Sequence, residues 1–552
     1  MTVIRQSTAE ATIATLIGHG IDTLFALPGV HNDPLFDAAF KASDRVRVIH
    51  SRHEQTAAYM ALGAALATGK PQAFAVVPGP GMLNASAALL MAQAMCAPVL
   101  ALVGQIPSFA IDQGHGHLHE IHDQLGLLRH ITKHADRIRS PAEAGPKVAA
   151  ALAAARSGRP GAVALECAID VWGQVGETVV PDPAPVPALV ADPAAIQAAA
   201  AILCGSKRPL IAVGAGALGA GRELLAVAER LQAPVMSFRR GRGAIPTDHP
   251  LAVSFTEGHA LWKTADAVLA VGTRLYWQQA NWGVDEALKV IRLDIDPEEI
   301  TRLRHPACAL LGDAAATLAA LNLALTEAAS GEGPWHPNPD LPAARAAFAE
   351  RLGRHEPVMG FLRAIRAALP PDGIYVEEVT QVGFASRLAF PVPGPRLFLS
   401  PGYQDTLGWG YGTALGAQAA APGRKVVLAT GDGGFMFQAA ELATAMRHKL
   451  PVVAVVFDDG AFGNVRRIQA ERYGNRLIAS DLTNPDFVAF AKSFGMAAFR
   501  ATTPAALETA LHQAFGLDAP ALIHVPVGEM PSPWDMILLP KVRGGEGRPA
   551  LP

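Results

Sequence analysis

The sequence predicts an α/β protein of three domains, each a parallel sheet flanked by helices. Three observations carry this. A strand–helix–strand plan with a Gly-x-Gly turn occurs twice, in the N-terminal and C-terminal thirds, about two-thirds of the chain apart. Two linker-like stretches, the proline-rich Val179–Pro193 and the Gly-, Pro- and polar-rich Ala328–Pro342, divide 552 residues into domain-sized parts. Half of the residues are hydrophobic but only 6% are aromatic, and glycine and alanine abound, which suits helices packed closely on parallel sheets. The expected domains are 1–178, 190–328 and 343–552.

In the N-terminal third an apolar strand, Thr23–Ala26, leads into Pro28-Gly29-Val30-His31-Asn32. Ser51-Arg52-His53-Glu54-Gln55 precedes a small-residue helix expected over Thr56–Thr68. After Gly69-Lys70 come a strand (Ala73–Val77), Gly79-Pro80-Gly81, a helix (Asn84–Met95) and a second strand (Ala97–Val103). Such a βαβ unit ends both strands at one edge of the sheet. Nothing formally charged lies between Lys70 and Asp112. Ala85–Gly104 is apolar enough to raise a membrane span, but Asn84, Gln93 and Pro98 interrupt it. Parallel strands covered on both faces are continuously hydrophobic, so a buried core explains the run. No basic segment with an apolar signal core precedes it, and a soluble protein is expected. Farther on, Gly116-His117-Leu118-His119-Glu120-Ile121-His122 holds three histidines, without the cysteines or further ligands of a zinc set.

The middle third contains the strand Pro209–Val213 and then Gly214-Ala215-Gly216-Ala217-Leu218-Gly219, formally the GxGxxG dinucleotide fingerprint. The acidic residue expected after the next strand is missing; Ser237-Phe238-Arg239-Arg240 stands there. Tight strand–helix packing explains the small residues equally well. The two arginines are expected to meet a phosphate or to be solvated.

The C-terminal third repeats the first plan. A small-residue stretch, Tyr411–Ala420, is followed by Gly423-Arg424, the apolar run Val426–Thr430 and Gly431-Asp432-Gly433. A helix (Gln438–Lys449), a strand (Pro451–Phe457) and Asp458-Asp459-Gly460 follow. Asp432 and Asp459 are therefore expected side by side among glycine-freed amides. Two carboxylates with exposed N–H groups at a helix N-terminus suit a hard cation carrying a diphosphate. Pro80 stands where Asp432 stands, so the first copy binds no metal, and the two copies divide the labour.

Gly431–Asn464 resembles the thiamine diphosphate signature of the acetolactate synthase, benzoylformate decarboxylase and benzaldehyde lyase superfamily. The segment around Glu54 resembles the RHEQ motif of the same superfamily, and the resemblance covers essentially the whole chain. It implies Mg²⁺ on the cofactor's diphosphate, held by Asp432, Asp459 and the carbonyl of Ala461. Gly431, Gly433, Gly434, Phe462, Gly463 and Asn464 would surround the cofactor, with Thr380 and Gln381 approaching the diphosphate. Leu407 takes the place of the bulky wedge that bends the cofactor, and the carbonyl of Asp405 would accept a hydrogen bond from its amino group. Glu54 would hydrogen-bond the pyrimidine ring, since a carboxyl in apolar surroundings can stay protonated and donate. His31 matches a histidine placed over the thiazolium, and His119 a glutamine used near the substrate. Imidazoles suit the proton shuttling required there.

Three positions depart from the pattern. Asp458 replaces the usual Asn, and an extra buried anion must turn away or be protonated. Asp405 occupies a site where small residues are common, with its side chain expected near substrate or metal-site solvent. Ile468 replaces a Trp that favours larger 2-oxo acids in acetolactate synthases.

The resemblance implies an enzyme that cleaves or forms C–C bonds next to a carbonyl, a 2-oxo acid decarboxylase or carboligase similar to acetolactate synthase. Alternatives are a benzaldehyde lyase-like aldehyde lyase or diketone hydrolase, and a 2-oxo acid oxidase containing FAD. FAD or ADP would sit in the central third, where the missing acid argues against a nucleotide. Read alone, GxGxxG leaves a non-catalytic nucleotide-binding protein. The implied substrate is a small 2-oxo acid or aldehyde. Gripping one cofactor by two domains of opposite kind implies a homodimer or homotetramer with sites between subunits. A net charge of −3 gives no bias toward nucleic acid or membrane surfaces. Four scattered cysteines, Cys96, Cys167, Cys204 and Cys308, fit reduced thiols in a cytoplasmic protein.

Overall fold

The computed structural model describes residues 3–328 and 336–544. Residues 329–335 of the expected second linker lie outside the described residues. Three six-stranded parallel sheets follow one another along the chain, preceded by the strand Val3–Ser7, which pairs antiparallel with Val175–Val179.

The N-terminal sheet runs Arg47–His50, Thr23–Ala26, Gln72–Val76, Val99–Gln105, Val163–Ala168, His134–Ile138. The C-terminal sheet runs Phe398–Leu399, Ile374–Glu377, Val426–Gly431, Val452–Asp458, Ala521–Pro526, Ala497–Arg500. Counting strands in chain order within each sheet, both read 2-1-3-4-6-5, so the repeated plan extends to the whole topology. The central sheet reads 3-2-1-4-5-6, the doubly wound nucleotide-binding order. In the outer two sheets the order reverses between the first and third strands. A crevice therefore opens beyond Ala26 and Val76 in one, and beyond Glu377 and Gly431 in the other.

The apolar run around residues 85–104 divides into the helix Pro80–Ala94 and the strand Val99–Gln105. No helix among the described residues is long and apolar enough to cross a membrane. The helix begins at Pro80 rather than Asn84, because proline at the first turn forfeits no hydrogen bond. The helix expected over Gln438–Lys449 runs from Ala439 to His448, its first turn 3₁₀ (Ala439–Glu441) and the rest α (Leu442–His448), and a separate short helix, Asp432–Met436, precedes it. Gln438, just before Ala439, sends its side chain away to accept from Gly412 N at 2.6 Å and to donate to Thr56 Oγ1 at 3.3 Å.

Within the chain the two outer domains meet through their matching small-residue helices, Glu54–Thr68 and Gly410–Ala420. A Cβ on Gly63 would stand 2.8 Å from Thr413 Cα, and one on Gly416 would stand 2.6 Å from Met60 Cα. Only glycine permits backbones to touch in this way. In the central domain, Cβ atoms on Gly214 and Gly216 would each stand 2.7 Å from backbone at Thr273 or Gly272. Those glycines serve the packing of two strand-end turns. The arginines expected at a phosphate or in solvent are turned to protein groups instead. Arg239 donates to the Gly402 carbonyl and to Asp405, and Arg240 donates to the Met95 carbonyl.

Candidate active site

Parallel pairing of Val426–Gly431 with Val452–Asp458, Gly431 opposite Phe457, delivers Asp432 and the Asp458-Asp459 pair to one edge. Asn484 donates to Asp432 at 2.6 Å and to Asp458 at 2.8 Å, and Gly460 N donates to both at 3.1 Å. Asp432 is 2% exposed. Burial pushes its carboxyl up to about 7, the Asn484 bond opposing and the charges of Asp459 and Asp458 reinforcing. Burial likewise raises Asp459, whose Oδ1 accepts from Ala461 N at 3.2 Å. Crowded carboxylate oxygens of this kind are hard donors that a divalent cation would relieve. Asp458 meets its expected alternatives by turning: its second oxygen faces His524 Nε2 at 3.0 Å. Among the described residues no three Asp, Glu, His or Cys side chains form a metal cage.

Around this edge, Gly433 admits the Phe462 ring, which a Cβ would approach to 2.7 Å. Gly434 lies against Glu378, and Gly463 against Asp459. Asn464 is half-buried and accepts from Arg467 at 3.1 Å. Thr380 caps the helix Gln381–Ala389 and stands 3.6 Å from where a Cβ on Gly431 would be. Gln381 is buried with its Oε1 unpartnered, a polar group free for a ligand.

Leu407 is half-buried on the turn between Asp405 and Gly408. Asp405 has a left-handed φ of +47°, which explains why small residues suit the position. Its carboxylate does not reach toward substrate or metal-site solvent, as the sequence suggested. Arg387 binds it through both terminal nitrogens at 2.8 and 2.6 Å, and Arg239 at 3.1 Å. Burial pushes this carboxyl up, but the two guanidiniums outweigh it and hold it below the usual carboxylate range.

The N-terminal candidates gather at the matching edge of their own sheet. Glu54 opens its helix, half-buried, and accepts from Asn84 Nδ2 at 3.0 Å. A Cβ on Gly81 would stand 3.4 Å from Glu54 Oε1. His31, 3% exposed, stacks on His119 with ring centroids 5.0 Å apart, and neither Nδ1 has a partner. Burial and the neighbouring His119 hold the His31 imidazole below its usual range, against a backbone bond with Leu118. The His119 carbonyl closes over Gly79. His117 and His122 point elsewhere, and His122 is exposed. Among the described residues, no hydrogen bond or ion pair within one chain joins the Glu54–His31–His119 group to the Asp432–Asp459–Leu407 group.

Three family descriptions match the chain in order: the N-terminal TPP binding domain of thiamine pyrophosphate enzymes over residues 6–127, their central domain over 196–321, and their C-terminal TPP binding domain over 378–525. A probable 2-ketoarginine decarboxylase of Pseudomonas aeruginosa is 32% identical over 543 residues, covering 94% of this chain and 93% of its own. A probable acetolactate synthase large subunit of Methanocaldococcus jannaschii is 34% identical over 552 residues, covering 94% and 91%. The chain belongs to the thiamine diphosphate-dependent enzymes. Acetolactate synthase isozyme 1 of Escherichia coli, 29% identical with 94% of this chain covered, is a further relative.

In this thiamine diphosphate enzyme, four residues that the motifs did not single out adjoin the candidate site: Asn484 and His524 at the acidic residues, Glu378 at the Gly408 amide, and Glu377 through Arg387, which binds Asp405. The two glutamates carried a usable signal, being consecutive acids at the end of the apolar strand Ile374–Glu377. Asn484 and His524 carried none, since neither belongs to a spaced motif.

Proposed function

We propose that this enzyme uses thiamine diphosphate and Mg²⁺ to decarboxylate a small 2-oxo acid, with carboligation as the second outcome. The observation that carries the reading is the convergence of Asp432, buried, and Asp459, half-buried, beside the Ala461 backbone. In this reading Asp432, Asp459 and the Ala461 carbonyl hold the cation. Thr380, Gln381, Gly431, Gly433, Gly434, Phe462, Gly463 and Asn464 surround the diphosphate and the adjoining pocket. Leu407 supports the bend of the cofactor, and the Asp405 carbonyl faces its amino group. When bound, the cofactor supplies an acidic carbon that adds to a carbonyl and an electron sink for the pair left by C–C cleavage.

Glu54 holds a proton for the pyrimidine ring from the far side. His31 and His119, stacked and each with a free Nδ1, are suited to hold and move a proton near the substrate carbonyl. Because Glu54 is only half-buried in one chain, a second chain is needed to close its surroundings. Support for that comes from exposed apolar residues beside both halves: Leu83, Leu90, Phe109 and Leu118 on one, Met436, Phe437, Tyr473 and Ile478 on the other. Such surfaces mark partner contacts, so the enzyme acts as a homodimer or a tetramer of the same chain. Decarboxylation is preferred over acetolactate synthesis because Ile468 stands where a Trp would be expected, and one relative is a probable 2-ketoarginine decarboxylase. FAD is disfavoured because Gly214 and Gly216 are filled by the Gly272–Thr273 turn.

The test is a screen of pyruvate, benzoylformate, 2-ketoarginine, benzoin and 1,2-diketones with thiamine diphosphate and Mg²⁺, products read by mass spectrometry. Decarboxylation of at least one 2-oxo acid, abolished by chelation, is expected. Turnover only of benzoin or a diketone would replace this reading with a lyase or hydrolase, and a yellow protein with flavin absorbance would favour an oxidase.

A further inference from the structure

The last residue of the strand Ile374–Glu377 and the residue after it are two consecutive, fully buried acids, Glu377 and Glu378, which no step above uses. They face opposite ways, as neighbours on an extended chain do. Glu377 binds Arg387 Nε at 2.7 Å and accepts from Ser400 Oγ at 2.6 Å. The same guanidinium grips Asp405 through both terminal nitrogens. Glu378 accepts from Gly408 N and, on its other oxygen, from Thr430 Oγ1 at 2.7 Å. Glycines at 410 and 434 are required there, since Cβ atoms would stand 2.5 Å and 2.7 Å from its oxygens.

Asp405 and Gly408 are thus the two ends of a four-residue turn, and Leu407 lies between them. One end is tied through Arg387 to the last residue of the strand, Glu377, and the other directly to the residue after it, Glu378. Glu378 has no cation partner among the described residues. A buried carboxylate without a counter-charge is costly, so the bonds it accepts must hold something of value.

We propose that Glu377 and Glu378 are positioning residues that grip the 405–408 turn at both ends and preset the height of Leu407 before the cofactor binds. The inference rests on the reading of Leu407 as the residue that supports the cofactor's bend. The glutamates act only through the turn: Glu377 by way of Arg387 and Asp405, Glu378 by way of the Gly408 amide.

The experiment uses the full-length, cofactor-free protein and compares wild type with Glu378→Ala, Glu378→Gln, Asp405→Asn and Leu407→Ala. Glutamine can still accept from Gly408 N while donating to Thr430, so it is the rescuing variant. Asparagine tolerates the left-handed backbone, so Asp405→Asn removes the charge without straining the turn. Backbone hydrogen exchange over 405–410 is expected to quicken at least ~10-fold in Glu378→Ala and Asp405→Asn and to stay near wild type in Glu378→Gln. The Kd for thiamine diphosphate should rise by ~10-fold or more in the first two, while the Kd for inorganic diphosphate with Mg²⁺ stays within about threefold. Unchanged exchange and affinity in Asp405→Asn would overturn the proposal even if Glu378→Ala fails to fold. Equal weakening of both ligands would also overturn it, assigning Glu378 to the Thr430–Gly434 side instead. If Leu407→Ala binds thiamine diphosphate like wild type, the reading of Leu407 fails by itself, whatever the exchange data show.

Discussion

His524 Nε2 meets one oxygen of Asp458 at 3.0 Å, while Asn484 holds the other at 2.8 Å. A position where asparagine is usual can therefore carry an aspartate, because a histidine and an amide receive it. Asn484 also binds Asp432, so a strand end, a neighbouring strand, a helix start and a loop share one polar cluster.

Removing that histidine leaves the half-buried Asp458 carboxylate with one bond fewer. His524→Ala is expected to lower stability by roughly 1–3 kcal/mol. Urea unfolding without added cation measures this, and Mg²⁺ should restore part of the loss by mass action. A variant as stable as wild type would mean that water serves Asp458 equally well.

Glu378 makes stability depend on pH in an unusual direction. Burial pushes it up to about 7, with Glu377 reinforcing and the Thr430 and Gly408 bonds opposing. A native-state value above the ordinary 4.5 means that the folded protein binds the extra proton in between. Stability from this group is therefore lost as pH rises from about 4.5 to about 7. The contribution is at most on the order of 3 kcal/mol. Glu378→Gln should flatten the difference between unfolding free energies at pH 5 and pH 7; parallel profiles for variant and wild type would contradict the assignment.

Glu54→Gln should lose at least ~10²-fold in turnover, as expected for removal of an acid–base group. Steady-state rates with saturating cofactor measure it, alongside cofactor affinity. Wild-type turnover would remove Glu54 from the chemistry.

Gly63→Val places a branched side chain where Thr413 backbone lies. Overpacking of this kind costs roughly 1–3 kcal/mol or more. Thermal unfolding should show a lowered midpoint, and Gly416→Val, facing Met60, should behave alike. A midpoint unchanged in both would show that the helices can part.

Much of this architecture was legible in the chain because its marks are local. Strands Thr23–Ala26 and Pro209–Val213 have the expected bounds, and Asp432 and Asp459 each follow an apolar strand at the predicted edge. The helix expected over 438–449 is present from Ala439 to His448, while the separate short helix Asp432–Met436 was not anticipated. Asn484 and His524 went unmarked because their partners are distant in sequence. His524 reaches Asp458 across neighbouring strands and Asn484 reaches it from a loop, so no periodicity along one element announces either. Asp405 was half legible: its oddness was visible, but Arg387 and Arg239 come from different parts of the chain.

The seam at Gly63 and Gly416 has no slack. Turning either helix drives a carbonyl or an α-carbon into its neighbour, so the outer thirds of one polypeptide behave as a welded block. Whatever breathing lets a small molecule in or out must take place at some other joint.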